Sequence, residues 1–302
     1  MCPYNNYLYN VEVKSPISGK FCNLVEEFIP RKIVLAYKEQ YNVNIEYLFK
    51  SIDKIFLFEC PDTNLLFFYP PNIEGDSTYY QKLSEIPWYY MDWKWEHQIA
   101  FEEINTNSTV LEIGFGKGSF LRQLLNKNCK VFGLEKTPVS TKENSSGNLN
   151  LFFEDIQTFA NKFAGFFDYI CAFQTLEHVS DVRNFIQNSL QLLKPKGTLI
   201  FSVPNQDSFI SLDPFNIFDM PPHHLTRWRP IVFEKICNYF PMKLLKIIFE
   251  PLQTHHIEWF KNLIKTNFKN AKLVDALCFA AERFPSRFRG HTILGVFQKT
   301  GT

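Results

Sequence analysis

The sequence lacks the features that mark several large classes of protein. Among its 302 residues, no uninterrupted apolar run approaches the roughly 18 residues that a membrane-spanning helix needs. The first residues, Met-Cys-Pro-Tyr-Asn-Asn, have neither a basic head nor an apolar core, so no secretory signal is predicted. The chain also has no internal repeat and no low-complexity tract. These absences favour a globular protein without a membrane span, and we expect it in the cytoplasm.

Neither the charge nor the cysteine content points to a specialised partner. Lys and Arg number 32 against 31 Asp and Glu, so the net charge of +1 provides no field that would attract nucleic acid. The seven cysteines are odd in number and lack the spacing of a disulfide scaffold, which predicts reduced thiols. At this length, with 45% hydrophobic residues, the chain can form one large domain or two small ones.

The rest of the chain is organised around residues 109–119, Thr-Val-Leu-Glu-Ile-Gly-Phe-Gly-Lys-Gly-Ser. The pattern predicts a buried strand, a glycine-rich turn and a helix with apolar residues at helical spacing. Because glycine has no Cβ, the backbone can turn sharply and a ligand can approach it closely. Glu112 precedes Gly114 by two positions and would repel a pyrophosphate but attract a cation. The turn therefore predicts a site for a cationic ligand rather than a dinucleotide.

The following segments alternate between apolar strands and helices. The strand 130–135 ends in Glu135, 21 residues past Gly114, where such a topology places a carboxylate that faces a ribose. A solvated charge at a strand end is the alternative. Residues 148–156 predict a third strand with its loop, and residues 167–179 predict a fourth. A helix follows, for which Ser180 is a candidate N-cap, and then a fifth strand from Thr198.

Three segments together resemble the class I S-adenosylmethionine (SAM)-dependent methyltransferases. They are the glycine turn, Leu-Glu-His-Val at 176–179, and Leu-Leu-Lys-Pro-Lys-Gly at 192–197 before an apolar strand. The resemblance is close from about residue 95 to about 205 and looser to about 300. It implies an α/β, Rossmann-like fold whose seven-stranded sheet has the order 3-2-1-4-5-7-6. SAM would then lie across the carboxyl ends of strands 1, 2 and 4.

The same resemblance implies roles for individual residues. Glu112 would lie near the cationic methionine end, Glu135 would bind the ribose hydroxyls, and Asp155, with Glu154 as a possible substitute, would bind the adenine amino group. Ile156 would pack on the adenine ring. The predicted cofactor-binding residues are Glu112, Gly114, Gly116, Gly118, Glu135, Asp155, Ile156, Phe173 and Gln174.

The candidate catalytic residues are histidines. His223 and His224 follow two prolines that stiffen the segment 219–230, and similar Pro-x-His-x-x-x-Trp stretches in related bacterial methyltransferases lie above the methyl donor. A histidine suits a hydroxyl or amine acceptor as general base, although each could instead be structural. His224 and His178 rank almost equally as the base, and His223 ranks third. Arg227 could hold an acidic group of the acceptor or form a salt bridge with Asp219.

Residues 1–70 predict a small β-rich module of short strands and turns. It resembles the zinc-ribbon head that precedes some methyltransferase domains, but its two C-x-x-C positions each keep one cysteine, Cys2 and Cys60. Together with Cys22 they supply three ligands at most, whereas structural zinc needs four. We therefore predict no metal. Residues 71–94 form an aromatic linker, in which Tyr79, Tyr80, Tyr89 and Tyr90 pack between the modules or line an acceptor pocket.

Residues 95–302 are predicted to form the SAM-binding domain, with a helical insertion at about 255–287 that could mediate a homodimer. The leading function is methyl transfer to a hydroxyl of a small molecule, a sugar or nucleotide-linked sugar in polysaccharide biosynthesis. The alternatives are N- or carboxyl-methylation of another metabolite, a methyltransferase acting on RNA or protein, and a binding module without catalysis. The low net charge disfavours a nucleic-acid partner.

Overall fold

The N-terminal part forms a small sheet with two helices. The computed structural model describes residues 12–86, 89, 91–136 and 147–301, so Cys2 and Tyr90 lie outside the described residues. Strands β1 (Asn23–Phe28), β2 (Ile55–Glu59) and β3 (Leu66–Tyr69) pair in antiparallel order, and β2 and β3 form a hairpin. The helices are α1 (Pro30–Tyr41) and α2 (Ser77–Ser84). The sequence analysis missed α1, which buries Ile33 and Tyr37 on one face.

The remaining strands follow in chain order: β4 (Thr109–Ile113), β5 (Lys130–Glu135), β6 (Leu149–Phe153), β7 (Phe167–Phe173), β8 (Leu193–Pro204), β9 (Thr226–Arg227), β10 (Met242–Pro251) and β11 (Arg289–Lys299). All except β9 belong to one seven-stranded sheet in the order β6-β5-β4-β7-β8-β11-β10. Numbered within this domain, that order is 3-2-1-4-5-7-6, which confirms the predicted fold class. The first five strands of the series are parallel, and β11 runs antiparallel to both of its neighbours.

The helices described in this part of the chain are α3 (Trp95–Glu103), α4 (Ser119–Leu125), α5 (Ile156–Lys162), α6 (Val182–Leu192), α7 (Pro230–Ile236), α8 (Ile257–Asn267) and α9 (Ala271–Arg283). The N-cap of α6 is Asp181, whose carboxylate accepts from the Asn184 N–H at 3.0 Å, and not the predicted Ser180. Helices α8 and α9 lie where the helical insertion was predicted and pack together through Phe260, Ile264 and Cys278. Among the described helices, none combines the length and apolarity that crossing a membrane requires.

The segment between β8 and α7 joins the two sheets. Its short strand β9 pairs with β3, so it completes the N-terminal sheet. Just before β9, the carbonyl oxygen of Leu225 accepts from the Phe68 N–H at 2.9 Å. The Tyr37 hydroxyl donates to the carbonyl oxygen of Ile217 at 3.0 Å, and Met220 is buried in the same hydrophobic cluster as Tyr37. The loop that carries His223 and His224 is thereby fixed by the N-terminal module.

Candidate functional site

The glycine turn after β4 has a backbone conformation that favours glycine, and at Gly114 it also has no space for a side chain. Gly114, Gly116 and Gly118 have φ angles of 78°, 50° and 71°, in the left-handed region that glycine adopts without strain. A Cβ atom on Gly114 would lie 2.5 Å from Oγ1 of Thr175, which is closer than real Cβ contacts. The turn therefore presents bare backbone at the carboxyl edge of the sheet, as the sequence predicted.

Two carboxylates flank this turn. Glu112, on β4, is buried, and its Oε2 atom has no hydrogen-bond partner within the described part of the chain. Burial, together with the nearby Glu135 carboxylate, raises the pKa of Glu112 well above its usual value. Glu135 ends β5 and accepts from the Gly116 N–H at 3.3 Å, while burial raises its pKa as well. The structure thus brings Glu112, Glu135 and the glycines together, and a cation there would relieve the cost of burying two carboxylates.

The end of β7 forms the other side of this site. Gln174 follows the strand with a φ of 48°, an uncommon value for a residue with a side chain. Its Nε2 atom is buried without a hydrogen-bond partner in the residues that the structure describes. Phe173 is buried, with its ring centroid 4.9 Å from that of Phe120, so it supports the site from behind. Backbone strain and an unpartnered donor are both typical of a ligand-binding position.

Asp155 and its neighbours lie at the start of α5. Asp155 is the N-cap of that helix and accepts from the N–H and the hydroxyl of Thr158 at 2.9 Å and 2.6 Å. Glu154 forms an ion pair with Lys162 at 2.5 Å. Ile156 is half-buried against the main core. Both oxygens of Asp155 therefore already have an intramolecular partner, and binding of an adenine amino group would use their remaining lone pairs.

The three candidate histidines come together in one cluster. His178 lies in the 3-10 turn Leu176–His178 after β7, and the other two lie before β9. Ring centroids are 4.6 Å apart for His178 and His223, 4.9 Å for His178 and His224, and 4.5 Å for His223 and His224. The Leu225 N–H donates to the carbonyl oxygen of Glu177 at 2.7 Å and holds the two loops together. His223 and His224 are buried, whereas His178 is half-buried.

Hydrogen bonds orient all three rings in the same way. The Nδ1 atom of His178 lies 2.5 Å from the carbonyl oxygen of His223, and Nδ1 of His223 lies 2.8 Å from that of Phe218. The Nδ1 atom of His224 lies 3.0 Å from Oδ1 of Asp219. Because carbonyl and carboxylate oxygens accept, each Nδ1 carries a proton and donates. Each neutral ring consequently keeps its lone pair on Nε2.

The environment keeps the three rings neutral. Burial lowers the pKa of His178 to about 4, even though its hydrogen bond to His223 opposes the shift. Burial, reinforced by the neighbouring histidines, lowers the pKa values of His223 and His224 well below their usual range. At neutral pH the cluster therefore consists of uncharged imidazoles that can accept a proton or coordinate a cation.

Glu177 is a residue that the sequence analysis did not assign to the site. It is fully buried, and neither carboxylate oxygen has a hydrogen-bond partner among the described residues. Its Oε1 atom lies 4.0 Å from Nε2 of His224, and burial raises its pKa to about 8. The only signal in the sequence was its position directly before His178. Nothing in the local pattern indicates that its carboxylate points into the protein.

Arg227 is bonded within the protein. Its guanidinium is buried and binds Asp219, with Nε 2.9 Å from Oδ2, and a second nitrogen donates to the carbonyl oxygen of Pro214 at 3.0 Å. The salt-bridge alternative from the sequence analysis is therefore confirmed. Asp219 is held between Arg227 and His224, so this buried ion pair fixes the carboxylate that orients the His224 ring.

One tyrosine of the aromatic linker packs in the N-terminal core, and two others contact the histidine cluster. Tyr79 is buried, and its hydroxyl lies 2.7 Å from that of Tyr37 in the N-terminal core. The hydroxyl of Tyr80 lies 3.2 Å from Nδ1 of His178, and that of Tyr89 lies 2.8 Å from Nε2 of His223. A cavity of ≈ 290 Å³ is lined by Tyr89, Trp93, Lys94 and Gln174, among others. This cavity borders both the cofactor side of the sheet and a tyrosine that touches the histidines.

The family assignment agrees with this geometry. A sequence model of the family described as "Methyltransferase domain" matches residues 88–253, more than half of the chain. The chain belongs to this family of SAM-dependent methyltransferases. SAM is accordingly its cofactor. The residues present fit SAM, because the unpartnered Glu112 oxygen can face its cationic methionine end and the unpartnered Gln174 amide can donate to one of its acceptors.

Individual relatives of this methyltransferase are distant. The chain is 26% identical over 143 residues to a protein named "Ubiquinone biosynthesis O-methyltransferase" from Erwinia tasmaniensis, covering 45% of this chain and 56% of that protein. A protein of the same name from Cronobacter sakazakii is 30% identical over 105 residues, covering 33% and 43%. The chain thus spans about half the length of the curated relatives it matches. A solved SAM-dependent methyltransferase from Archaeoglobus fulgidus has a TM-score of 0.48 at 17% identity, covering 67% of this chain and 90% of that one.

Proposed function

We propose that this methyltransferase transfers the methyl group of SAM to a hydroxyl oxygen of a small-molecule acceptor. The observation that carries the proposal is that the loop after β7 contacts both the glycine turn and the histidine cluster. Thr175 in this loop contacts the glycine turn and donates to the carbonyl oxygen of Ile113 at 3.3 Å. His178 follows three residues later, about 6 Å further along a 3-10 turn, and belongs to the histidine cluster. The cofactor side and the cluster are therefore adjacent.

The cofactor would be held by residues on the edge of the sheet. Glu135 would accept from the ribose hydroxyls of SAM. The glycine turn would leave space for the cofactor close to the main chain, and Glu112 and Gln174 would face its methionine end. When bound, SAM supplies an electrophilic methyl group. The task left to this chain is to align the acceptor, exclude water and promote loss of the acceptor proton.

The histidine cluster favours a hydroxyl acceptor. A neutral amine can attack a methyl group before it loses a proton, and a carboxylate has none to lose. A hydroxyl, in contrast, is a poor nucleophile until its proton is removed. The neutral imidazoles have Nε2 lone pairs that can accept this proton as the methyl group is transferred, and His178 is the half-buried, most exposed member of the cluster. The sequence-based hypothesis that His224 or His178 acts as general base remains a prediction.

Two hydroxyl classes are candidates for the acceptor. The aromatic side chains Tyr89 and Trp93 in the ≈ 290 Å³ cavity suit the face of a sugar or of an aromatic ring. The sequence analysis favours a sugar or a nucleotide-linked sugar of polysaccharide biosynthesis. The names of the distant relatives, O-methyltransferases of ubiquinone biosynthesis, favour an oxygen acceptor of that biosynthesis as the second candidate. We also propose that the protein works in the cytoplasm without nucleic acid and that α8 and α9 could form a dimer face.

Formation of S-adenosylhomocysteine tests the proposal. The protein would be incubated with SAM and panels of nucleotide-linked sugars, free sugars, phenols, amines and carboxylic acids. We expect product only with hydroxyl acceptors, and a fall in kcat between about 10²- and 10⁴-fold for His178→Gln. Product only with amines or carboxylic acids would overturn the proposal. Binding of SAM by calorimetry would be measured in parallel, with Glu135→Ala as a variant expected to weaken it.

A further inference from the structure

Four side chains around the histidine cluster have the composition of a metal centre. Ligand-capable ring nitrogens of His178, His223 and His224 all lie within 4.8 Å of one another. The Oε1 atom of Glu177 lies 4.0 Å from Nε2 of His224. We propose that these three histidines and Glu177 bind one divalent transition-metal ion, of which Zn²⁺ is the representative. This site is distinct from the cysteines of the N-terminal module, for which the sequence predicts no metal.

The orientation of the rings is the first argument. In metal sites, a coordinating histidine almost always donates its other ring N–H to a carboxylate or a backbone carbonyl, which fixes the tautomer. All three rings have that arrangement: His178 donates to a carbonyl oxygen, His223 donates to another, and His224 donates to Asp219. The Nε2 atoms, which would coordinate the ion, are thus the ones that carry lone pairs.

Glu177 is the second, independent argument. Its carboxylate is fully buried, and neither oxygen has a partner in the described portion of the structure. Ionising a carboxyl group in such a place costs several kcal/mol unless a charge or hydrogen bonds compensate it. No lysine or arginine forms an ion pair with it among the described residues. A divalent cation beside Oε1 and the three Nε2 atoms would supply that charge.

The geometry requires only a modest contraction. Zinc binds imidazole nitrogen at 2.0–2.1 Å, so two nitrogens on a tetrahedral ion are about 3.4 Å apart. One nitrogen from each of the three rings lies within 4.8 Å of the nitrogens offered by the other two, so the rings need to approach one another by only roughly 1 Å to reach that spacing. Imidazole ligands favour zinc, iron, cobalt and nickel over magnesium and calcium, which prefer oxygen.

The proposed role of the ion rests on the proposed function. With four protein ligands in place, the ion would take an acceptor hydroxyl as a fifth ligand and lower the pKa of that hydroxyl. The oxygen keeps its electron pair, the proton leaves to water, and the resulting oxyanion is a stronger nucleophile. In this arrangement the histidines are metal ligands and not general bases. Metal binding itself is independent of that role, because it is measured without SAM and without an acceptor.

The first test is metal content. The protein, purified without a histidine tag, would be analysed by plasma mass spectrometry and then stripped with a chelator and titrated with Zn²⁺ and Co²⁺. We expect about one equivalent of a transition metal per chain, and visible absorption bands on Co²⁺ binding that report nitrogen and oxygen ligands. Failure of the stripped, folded protein to bind either ion would overturn the proposal.

Variants locate the ion. His223→Gln and His224→Gln should each lower the affinity for Co²⁺ by at least about 100-fold, and Glu177→Gln by at least about tenfold. His255→Gln is the matched control, because His255 is an exposed histidine followed, like His223, by a second histidine, yet it lies outside the cluster. Equal loss in the control would show that the ion binds elsewhere. If a variant of a buried residue fails to fold, the titration of the unaltered protein still shows whether the protein binds the metal ion.

The outcomes separate this proposal from the proposed function. If metal binds at the cluster but no hydroxyl acceptor is methylated, the metal site is supported and the proposed function is refuted. If stripped protein without detectable metal still methylates a hydroxyl acceptor, the proposed function is supported and the proposed role of the ion is refuted. Activity lost on stripping and restored by Zn²⁺ or Co²⁺, with SAM affinity unchanged throughout, is the expected result.

Discussion

The Nδ1 atom of His178 lies 2.5 Å from the main-chain carbonyl oxygen of His223. This contact joins the loop after β7 to the loop before β9, and the second loop thereby orients the His178 ring of the first. The first loop begins at the cofactor edge of the sheet, and the second is held by the N-terminal module through β3. The module therefore contributes to the site indirectly, by setting where His223 and His224 lie.

Substitution of Gly114 by alanine tests the glycine turn. The new Cβ would meet Thr175 Oγ1 at 2.5 Å, and the φ of 78° would strain any residue with a side chain. We expect Gly114→Ala to lower SAM affinity by at least about tenfold and to destabilise the fold by about 1–3 kcal/mol. Calorimetric titration with SAM and denaturant unfolding would measure the two effects.

Gly165→Ala is the matched control for that substitution. Gly165 has a similar φ of 66°, but a Cβ atom added there would meet nothing within 4 Å, and the residue lies before β7, remote from the glycine turn. The substitution should therefore cost only the backbone strain, about 1–2 kcal/mol, and leave SAM affinity unchanged. Equal SAM affinities for the two variants would contradict the assignment of the turn.

The buried carboxylate of Glu112 gives a stability effect and a binding effect of opposite sign. Its pKa is raised in the folded protein, so folding favours the protonated form and stability falls as pH rises from about 4.5 through the raised pKa. Glu112→Gln removes that penalty. We expect the ligand-free variant to melt at a higher temperature than the unaltered protein at about pH 8 and to lose most of this advantage near pH 5. Thermal unfolding at both pH values measures the effect.

The Glu112→Gln variant should also bind SAM more weakly, by roughly 10- to 100-fold, because a neutral amide does not attract a cation. Glu103→Gln is a control, since Glu103 makes a solvent-accessible ion pair with Lys246 at 2.6 Å. A variant that gains stability and keeps its full SAM affinity would show that Glu112 does not face the cofactor.

Tyr37 connects the N-terminal module to the histidine loop. Its buried hydroxyl lies 2.7 Å from that of Tyr79 and donates to the carbonyl oxygen of Ile217 at 3.0 Å. Tyr37→Phe leaves both partners without this group, so we expect a loss of about 1–3 kcal/mol in the free energy of unfolding. Tyr239→Phe, which removes a half-buried hydrogen bond to Asp62 at 2.9 Å, should cost less. Denaturant titration of both variants measures the difference, and equal costs would argue against a buried junction at Tyr37.

The sheet order and the cofactor edge could be predicted because both follow from patterns close together in the chain. Apolar strands alternate with amphipathic helices, and the spacing from Glu112 to Gly118 lies within one turn. Strand β9 could not be predicted in this way. It has two residues, Thr226 and Arg227, which are too few for any periodicity, and its partner β3 lies more than 150 positions earlier.

The contacts between side chains inside the site could not be predicted from the sequence either. The candidate histidines could be named, because their residue type suits proton transfer, but their contact depends on two loops about 45 positions apart. The burial of Glu177 depends on the same packing. Asp155 was predicted to bind adenine, and its capping bonds to Thr158 became visible only with the geometry of α5. Local pattern supplies residue types, whereas tertiary packing decides which lone pairs are free.

Tyr89 provides a test in which removing a hydrogen bond should strengthen binding. Its hydroxyl lies 2.8 Å from Nε2 of His223, the nitrogen that would coordinate the proposed ion. Because the hydroxyl competes for that lone pair, Tyr89→Phe should raise Co²⁺ affinity by about 3- to 10-fold. Tyr80→Phe is the matched control, since that hydroxyl lies 3.2 Å from Nδ1 of His178, which would not coordinate the ion, and should leave the affinity nearly unchanged. Titration of both variants with Co²⁺, followed by absorbance, measures the difference. Weaker binding in Tyr89→Phe would instead mean that the tyrosine itself supports the ion.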